Sequence, residues 1–89
     1  MNHSDESLIT YPCDFPIKIM GVTQETFAQT MVDLVRVYDP GFDAGNMEMR
    51  PSAKGNYLSL TVTVRATSRE QLDNLYRALS SHPMVKVVL

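Results

Sequence analysis

The chain of 89 residues is long enough for one small domain with one modest hydrophobic core. It is 44% hydrophobic and 20% charged with a formal net charge of -2, so it lacks the basic footprint typical of nucleic-acid-binding proteins. No apolar run approaches the roughly 18 residues that a transmembrane helix needs. The single cysteine, Cys13, cannot form an internal disulfide bond, which favours a reducing compartment. We therefore expect a cytoplasmic protein without a nucleic-acid or membrane partner.

The N-terminal part separates a polar tail from a first strand. Residues 1–11 mix polar and acidic side chains with little periodicity, and we expect a flexible tail followed by a single domain over residues 12–89. Residues 14–21 alternate in polarity with a period of two, which predicts a half-buried β-strand. Gly21 is expected to end this strand. The side chains expected to face the core are Phe15, Ile17 and Ile19.

The next segment changes to a helical period. Residues 23–38 place apolar side chains along one stripe of a helix. Thr23 is the expected N-cap, because its hydroxyl can accept a hydrogen bond from the first turn. Pro40 and Gly41 end the helix. The stripe consists of Phe27, Ala28, Met31, Leu34, Val35 and Tyr38.

Two further strands follow the loop after this helix. Residues 47–51 alternate, with Met47 and Met49 facing the core, and Pro51 removes a backbone donor, which predicts an edge strand. Residues 57–66 form the clearest strand of the chain. Its expected core-facing residues are Leu58, Leu60, Val62 and Val64.

A second helix and a last strand complete the chain. Ser68 is the expected N-cap, and Gln71, three residues later, is its capping-box partner. Pro83 prevents the helix from continuing, and residues 84–89 predict a short strand. The apolar stripe of the helix consists of Leu72, Leu75, Tyr76 and Leu79.

The order strand, helix, strand, strand, helix, strand predicts an α+β ferredoxin-like sandwich, βαββαβ. Two helices cover one face of a four-stranded antiparallel sheet, and right-handed crossovers give the spatial order 4-1-3-2. The first and third strands are then central, which agrees with their stronger apolar patterns. The other face of the sheet is open. Its expected residues are Lys18, Met20, Glu48, Arg50, Tyr57, Ser59, Thr61, Thr63, Arg65, Lys86 and Val88.

The stretch PSAKGNY, residues 51–57, connects the second and third strands. It is not a phosphate-binding loop, because such a loop needs an upstream glycine, a lysine after the second glycine and a following helix. Pairing Met49 with Leu60 keeps both side chains on the core face and allows a loop of two residues, 54–55, or of four, 53–56. A hairpin turn therefore explains the stretch, although it does not require the lysine or the tyrosine.

Candidate catalytic and metal sites are sparse. No nucleophile–base pair is visible, and the loop after the first strand lacks the Cys-x-x-Cys of metallochaperones with this fold. The middle strands lack the aromatic platform on which RNA-recognition modules stack bases. Asp39 and Asp43 lie close in sequence and are interpreted as solvated carboxylates. We expect no enzymatic activity, no metal and no cofactor.

Three segments carry a resemblance to a known family: FPIKIMG at 15–21, RPSAKGNYLSL at 50–60 and VKVVL at 85–89. Over about residues 12–89 the chain resembles the YbeD-like family of small bacterial proteins of uncharacterised function. The resemblance implies a ferredoxin-like fold similar to ACT regulatory domains, which bind small molecules, often amino acids, at dimer interfaces near the first strand-to-helix turn. It also implies a loose association with lipoate metabolism, and it supplies no catalytic residues.

Two functions remain open from the sequence. The first is a non-catalytic, ACT-like regulatory module that senses a small molecule where a glycine precedes a helix N-terminus. Its candidate ligand-binding residues are Gly21, Val22, Thr23 and Gln24. The alternative is a protein-interaction adaptor that uses the open sheet face and the hairpin tip, and the exposed edge strands allow a homodimer. The candidate partner contacts at the tip are Ser52, Lys54, Asn56 and Tyr57.

Overall fold

The computed structural model describes residues 9–89, and the rest of the expected tail, residues 1–8, lies outside the described part of the chain. Residues 9–12 form neither helix nor strand, although the Tyr11 side chain already packs against the core. The elements that follow in chain order are β1 (Cys13–Val22), α1 (Phe27–Tyr38), a 3-10 turn (Ala44–Asn46), β2 (Glu48–Pro51), β3 (Tyr57–Ala66), α2 (Arg69–Ser81) and β4 (Val85–Val88).

The four strands form one antiparallel sheet in the order β2-β3-β1-β4. This is the predicted order read from the opposite edge, so the α+β ferredoxin-like architecture is confirmed. β1 and β3 pair along their whole length, from Cys13 opposite Ala66 to Val22 opposite Tyr57. The two strands with the clearest polarity patterns are therefore the central ones.

Both helices share one hydrophobic core with one face of the sheet. Burying a side chain as large as leucine or phenylalanine contributes about 1.5–3 kcal/mol. The core also includes Val32 of α1 and Phe42 of the following loop, which the periodicity argument did not identify. The fully buried members are Ile17, Ile19, Phe27, Met31, Val35, Leu60, Val62, Val64, Ala66, Leu75 and Leu79.

α1 begins later than the sequence predicted. Thr23 is not its N-cap, because the Thr23 N–H donates to the Asn56 carbonyl oxygen at 2.9 Å and a turn precedes the first helical residue, Phe27. Thr26 occupies the cap position without a side-chain hydrogen bond. The first turn of α1 is consequently positioned by the preceding backbone rather than by a capping hydroxyl.

Gly21 lies within β1 and does not end it, because the strand continues to Val22. A Cβ atom at Gly21 would overlap the Met84 carbonyl oxygen and would lie 2.7 Å from Cε1 of the Phe27 ring. The missing side chain therefore allows Phe27 and the chain before β4 to close over the strand.

An irregularity in β4 changes which of its side chains face the core. Met20 of β1 lies opposite Val87, and the next residue, Gly21, lies opposite Val85. Lys86 is therefore an extra, unpaired residue in β4, which is a β-bulge. Val88 consequently packs against the core, and Val87 is 42% exposed on the open face. The prediction that Val88 belongs to the open face is wrong, because the bulge shifts the alternation by one residue.

The pairing of β2 follows the predicted register, with Met49 opposite Leu60. The Met49 side chain is nevertheless 57% exposed, so the prediction that it belongs to the core is wrong. As an edge strand, β2 has a neighbouring strand on one side only, and its four residues are all exposed. Met47, just before β2, is half-buried against the core.

The start of α2 is fixed by the predicted cap and by a longer-range contact. The Ser68 Oγ accepts a hydrogen bond from the Gln71 N–H at 3.0 Å, as in a capping box. The Gln71 side-chain amide donates to the Tyr38 carbonyl oxygen at 2.8 Å, and its Oε1 accepts from the Thr67 N–H at 2.6 Å. One side chain therefore joins the end of α1 to the start of α2.

We expect Gly21→Ala to destabilise the fold by about 1–3 kcal/mol, because the added Cβ forces backbone and ring to move apart. Gly41→Ala is the matched control, since the nearest atom to a Cβ at Gly41 is 4.0 Å away. Urea unfolding followed by circular dichroism measures both free energies of unfolding. Equal stability of the two variants would contradict the close packing at Gly21.

Burial raises the pKa of Tyr76 above its ordinary value of 10.0. Because the folded protein then retains the phenol proton longer than the unfolded chain does, the stability from this group is fully present below the unfolded pKa and is lost as pH rises through the folded pKa. We expect the stability of Tyr76→Phe, measured by urea unfolding, to fall less than that of the wild type as the pH rises above about 10. Tyr57→Phe, at an exposed tyrosine, is the control. If the free energy of unfolding depends on pH in the same way for the wild type and Tyr76→Phe, the effect is ruled out.

Candidate functional site

The connection between β2 and β3 is a hairpin with a four-residue loop, residues 53–56, which is the longer of the two predicted lengths. The Ser52 N–H donates to the Tyr57 carbonyl oxygen at 2.8 Å, and the Tyr57 N–H donates to the Ser52 Oγ at 3.0 Å. The Gly55 N–H donates to the Ser52 carbonyl oxygen at 2.9 Å, and Gly55 has a φ of 77°, a left-handed conformation that favours glycine. The serine and the glycine are therefore explained by the turn.

The hairpin lies beside the turn between β1 and α1, at one end of the sheet. Tyr57 lies opposite Val22, and the Thr23 N–H donates to the Asn56 carbonyl oxygen at 2.9 Å. This bond continues the β1–β3 pairing one step beyond the strands and holds the two segments side by side. The two candidate sites that the sequence suggested separately thus form one continuous surface, here called the rim and defined as residues 22–24 and 52–57.

Gly21 differs from the other three candidate ligand-binding residues. Val22, Thr23 and Gln24 are exposed on the rim, whereas Gly21 is buried. The Phe27 ring and the Met84 carbonyl oxygen occupy the space next to it. Gly21 therefore shapes the rim from below and does not form part of its surface.

The rim offers hydrogen-bonding groups, one aromatic ring and one positive charge. Thr23 and Gln24 contribute a hydroxyl and an amide, and the Tyr57 side chain is 45% exposed. Lys54 is exposed and forms no side-chain hydrogen bond or ion pair with any residue in 9–89. Such groups can orient a small polar molecule or contact a protein surface.

Two further features of residues 9–89 are the arrangement of their possible metal ligands and the length of their helices. In this part of the chain, no group of three His, Cys, Asp or Glu side chains is placed to hold a metal ion. None of its helices is long and apolar enough to cross a membrane.

A polar recess lies at the other end of the sheet, beyond Glu48, the first residue of β2. Asp39 is 9% exposed, and its carboxylate accepts a hydrogen bond from the Arg65 N–H of β3 at 2.9 Å. The Arg65 guanidinium in turn lies 3.3 Å from the Asp14 carboxylate. The interpretation of Asp39 as a solvated carboxylate is wrong, because Asp39 is buried and hydrogen-bonded to β3. At Arg65, β3 has extended past the end of β2, and the Asp39 carboxylate accepts the backbone hydrogen bond that a residue of β2 would otherwise accept.

A second recess lies on the open face of the sheet. The register places Lys18 opposite Thr61 and Arg50 opposite Ser59, as the alternation predicted. The recess is a shallow groove of about 430 Å³ lined by Lys18, Glu48, Met49, Arg50, Ser59 and Thr61. The alternation predicted that five of these residues share the open face, but it did not predict the groove between them.

The strand order and the two helices define a small α+β domain with the ferredoxin-like fold. The solution structure of protein HP0495 from H. pylori matches with a TM-score of 0.74 and 20% identity, covering 91% of this chain and 85% of that one. The ACT domain from GTP pyrophosphokinase of Chlorobium tepidum matches with a TM-score of 0.58 and 17% identity, covering 86% of this chain and 97% of that one. At these identities the similarity shows the fold.

The chain belongs to the family described as "Protein of unknown function (DUF493)", whose model matches residues 6–89, and the resemblance to the YbeD-like family is confirmed. A UPF0250 protein of Janthinobacterium sp. is 71% identical over 84 residues, which are 94% of this chain and 92% of that protein. A UPF0250 protein of Paraburkholderia phytofirmans is 63% identical over 89 residues, which are 100% of both chains.

Proposed function

We propose that this chain is a non-catalytic regulatory module of the ACT-like type and that its rim binds a small molecule. The observation that carries the proposal is the 2.9 Å hydrogen bond between Thr23 and Asn56, because it holds two exposed segments side by side. The similarity in fold to the ACT domain of a GTP pyrophosphokinase supports a regulatory role.

A ligand on the rim would contact segments that belong to different elements of the fold. Residues 22–24 lead from β1 to α1, and the Gln24 carbonyl oxygen accepts a hydrogen bond from the Phe27 N–H at 3.2 Å. Residues 52–57 close the hairpin between β2 and β3. A ligand that orders one segment therefore also restricts the other segment and the start of α1. If it binds one conformation of these segments better than another, it shifts the equilibrium between the two conformations.

Ligand binding is tested by nuclear magnetic resonance on isotope-labelled protein, titrated separately with each proteinogenic amino acid and with lipoic acid. We expect one class of compound to shift the amide signals of residues 22–24 and 52–57 together. At about 100 times its Kd, that compound should stabilise the fold by about 2.7 kcal/mol, which raises the Tm of a domain of this size by roughly 10–20 °C. Light scattering on the same samples tests the expected homodimer.

The matched variants replace an exposed glutamine inside or outside the rim. Gln24→Ala removes one hydrogen-bonding group and should weaken binding roughly three- to tenfold. Gln29→Ala, at an exposed glutamine on α1, should leave the affinity unchanged. Signals that shift away from the rim, or no shift with any compound, would count against the proposal.

A second candidate function is a protein-interaction adaptor that uses the hairpin tip and the open sheet face. All residues of the tip, 52–57, are exposed. The turn uses the Ser52 hydroxyl and the positive φ of Gly55, but its hydrogen bonds do not involve the side chains of Lys54 and Tyr57. These two side chains are therefore available to a partner.

The adaptor function is tested by affinity capture from a bacterial extract with the wild type and with the double variant Lys54→Glu plus Tyr57→Ala. We expect the double variant to lose partners that the wild type retains, because a positive charge and an exposed ring are removed from the tip. Arg77→Glu, on the outer side of α2, is the control for the change in charge. If all three proteins capture the same partners, the tip has only a structural role as a turn.

A further inference from the structure

The two layers of the fold carry opposite net charges of equal size, so the formal charge of -2 reflects only Asp5 and Glu6, which belong to neither layer. The sheet layer is defined as residues 13–22, 47–66 and 82–89, and the helix layer as residues 23–46 and 67–81. The sheet layer has a net charge of +3, from Lys18, Arg50, Lys54, Arg65 and Lys86 against Asp14 and Glu48. The helix layer has a net charge of -3, from Arg36, Arg69 and Arg77 against Glu25, Asp33, Asp39, Asp43, Glu70 and Asp73.

Most of the positive charge in the sheet layer is uncompensated. Arg65 forms an ion pair with Asp14 at 3.3 Å. The other four basic side chains form no hydrogen bond or ion pair with any residue that the structure describes. They are Lys18, Arg50, Lys54 and Lys86. Uncompensated charge of one sign attracts a partner of the opposite sign and orients it before contact.

Two of these basic residues flank the groove on the open face. Lys18 of β1 and Arg50 of β2 lie on either side of β3, whose Thr61 and Ser59 are their respective neighbours. Since adjacent strands are about 4.8 Å apart, two short hydroxyl side chains form a floor between two longer cationic ones. A single carboxylate in this groove can face both cations and accept hydrogen bonds from the hydroxyls.

An apolar patch adjoins the groove on the same face. Met20 lies opposite Val87, which is 42% exposed. Leu89 exchanges backbone hydrogen bonds of 2.8 and 3.0 Å with Lys18, and it is 70% exposed. The patch consists of Met20, Val22, Val87 and Leu89. One short segment that carries both an apolar side chain and a carboxylate can therefore place the apolar side chain on the patch and the carboxylate in the groove.

We propose that the open sheet face docks an acidic protein segment that also presents an apolar side chain. The carboxylate binds between Lys18 and Arg50 over the hydroxyl floor, and the apolar side chain covers Met20 and Val87. This inference rests on the adaptor function and deepens it by naming the chemistry of the partner.

A polypeptide suits this face better than a nucleic acid does. Glu48 lies across Thr61 from Lys18 and repels the phosphates of a strand that crosses the groove, whereas a single carboxylate occupies only the space between Lys18 and Arg50. A phosphate backbone would also leave the apolar patch exposed to water. Proteins that bind single strands use several stacking aromatic rings, and Tyr57 is the aromatic side chain that the register places on this face.

Display of a random dodecapeptide library against the purified protein tests the inference. We expect the enriched peptides to carry Asp or Glu within a few residues of Leu, Ile, Met or Phe. With a synthetic peptide from that set, Lys18→Glu should raise the Kd about tenfold in fluorescence anisotropy. Arg77→Glu, which makes the same change in charge in the helix layer, should leave the Kd unchanged.

Three results would overturn the inference: no enrichment, enrichment without acidic residues, or an equal loss of affinity in the two variants. Tighter binding of a single-stranded oligonucleotide than of the peptide, with loss in Lys18→Glu, would assign the face to nucleic acid and would overturn it as well. The tip residues are unchanged in these variants. If the peptide test fails while the tip variant still loses its partners, the adaptor function stands with another surface.

Discussion

The pairing of β1 with β3 is the constraint on which the other features of the structure depend. Ten consecutive residue pairs join the two strands, from Cys13–Ala66 to Val22–Tyr57. Because side chains alternate along a strand, this register places one set of residues under the helices and the other on the open face. A slip of one residue would expose the buried side chains of Ile17 and Ile19, at a cost of about 1.5–3 kcal/mol for each.

The same pairing brings the two segments of the rim together at one end of the sheet. β1 and β3 reach the end of the sheet at the pair Val22–Tyr57, so the turn to α1 and the hairpin emerge next to each other. The hydrogen bond from Thr23 to Asn56 extends the pairing into the loops. Gly21 lets the Phe27 ring pack directly against β1 below this point. The rim is therefore exposed surface on a rigid base, which is the usual arrangement of binding loops.

Alternation was enough to predict the sheet and the hairpin register, because both depend on which side chains share a face. Met49 and Leu60 illustrate this, since their pairing is incompatible with a regular three-residue loop. The start of α1, the bulge at Lys86 and the role of Asp39 could not be predicted in this way. Each depends on a contact between segments that are distant in sequence. The proximity of the two segments of the rim could not be predicted for the same reason.

Net charge describes the chain, whereas attraction depends on the surface that a partner meets. The formal charge of -2 supported the expectation that no nucleic acid binds, yet the fold separates the charges into a sheet layer of +3 and a helix layer of -3. Packed layers lie about 10 Å apart, and charges are screened over about 8 Å at physiological ionic strength. A partner at the open face therefore interacts mainly with the sheet layer. The acidic composition does not oppose an acidic partner there, and the case against nucleic acid on this face has to rest on Glu48 and the apolar patch.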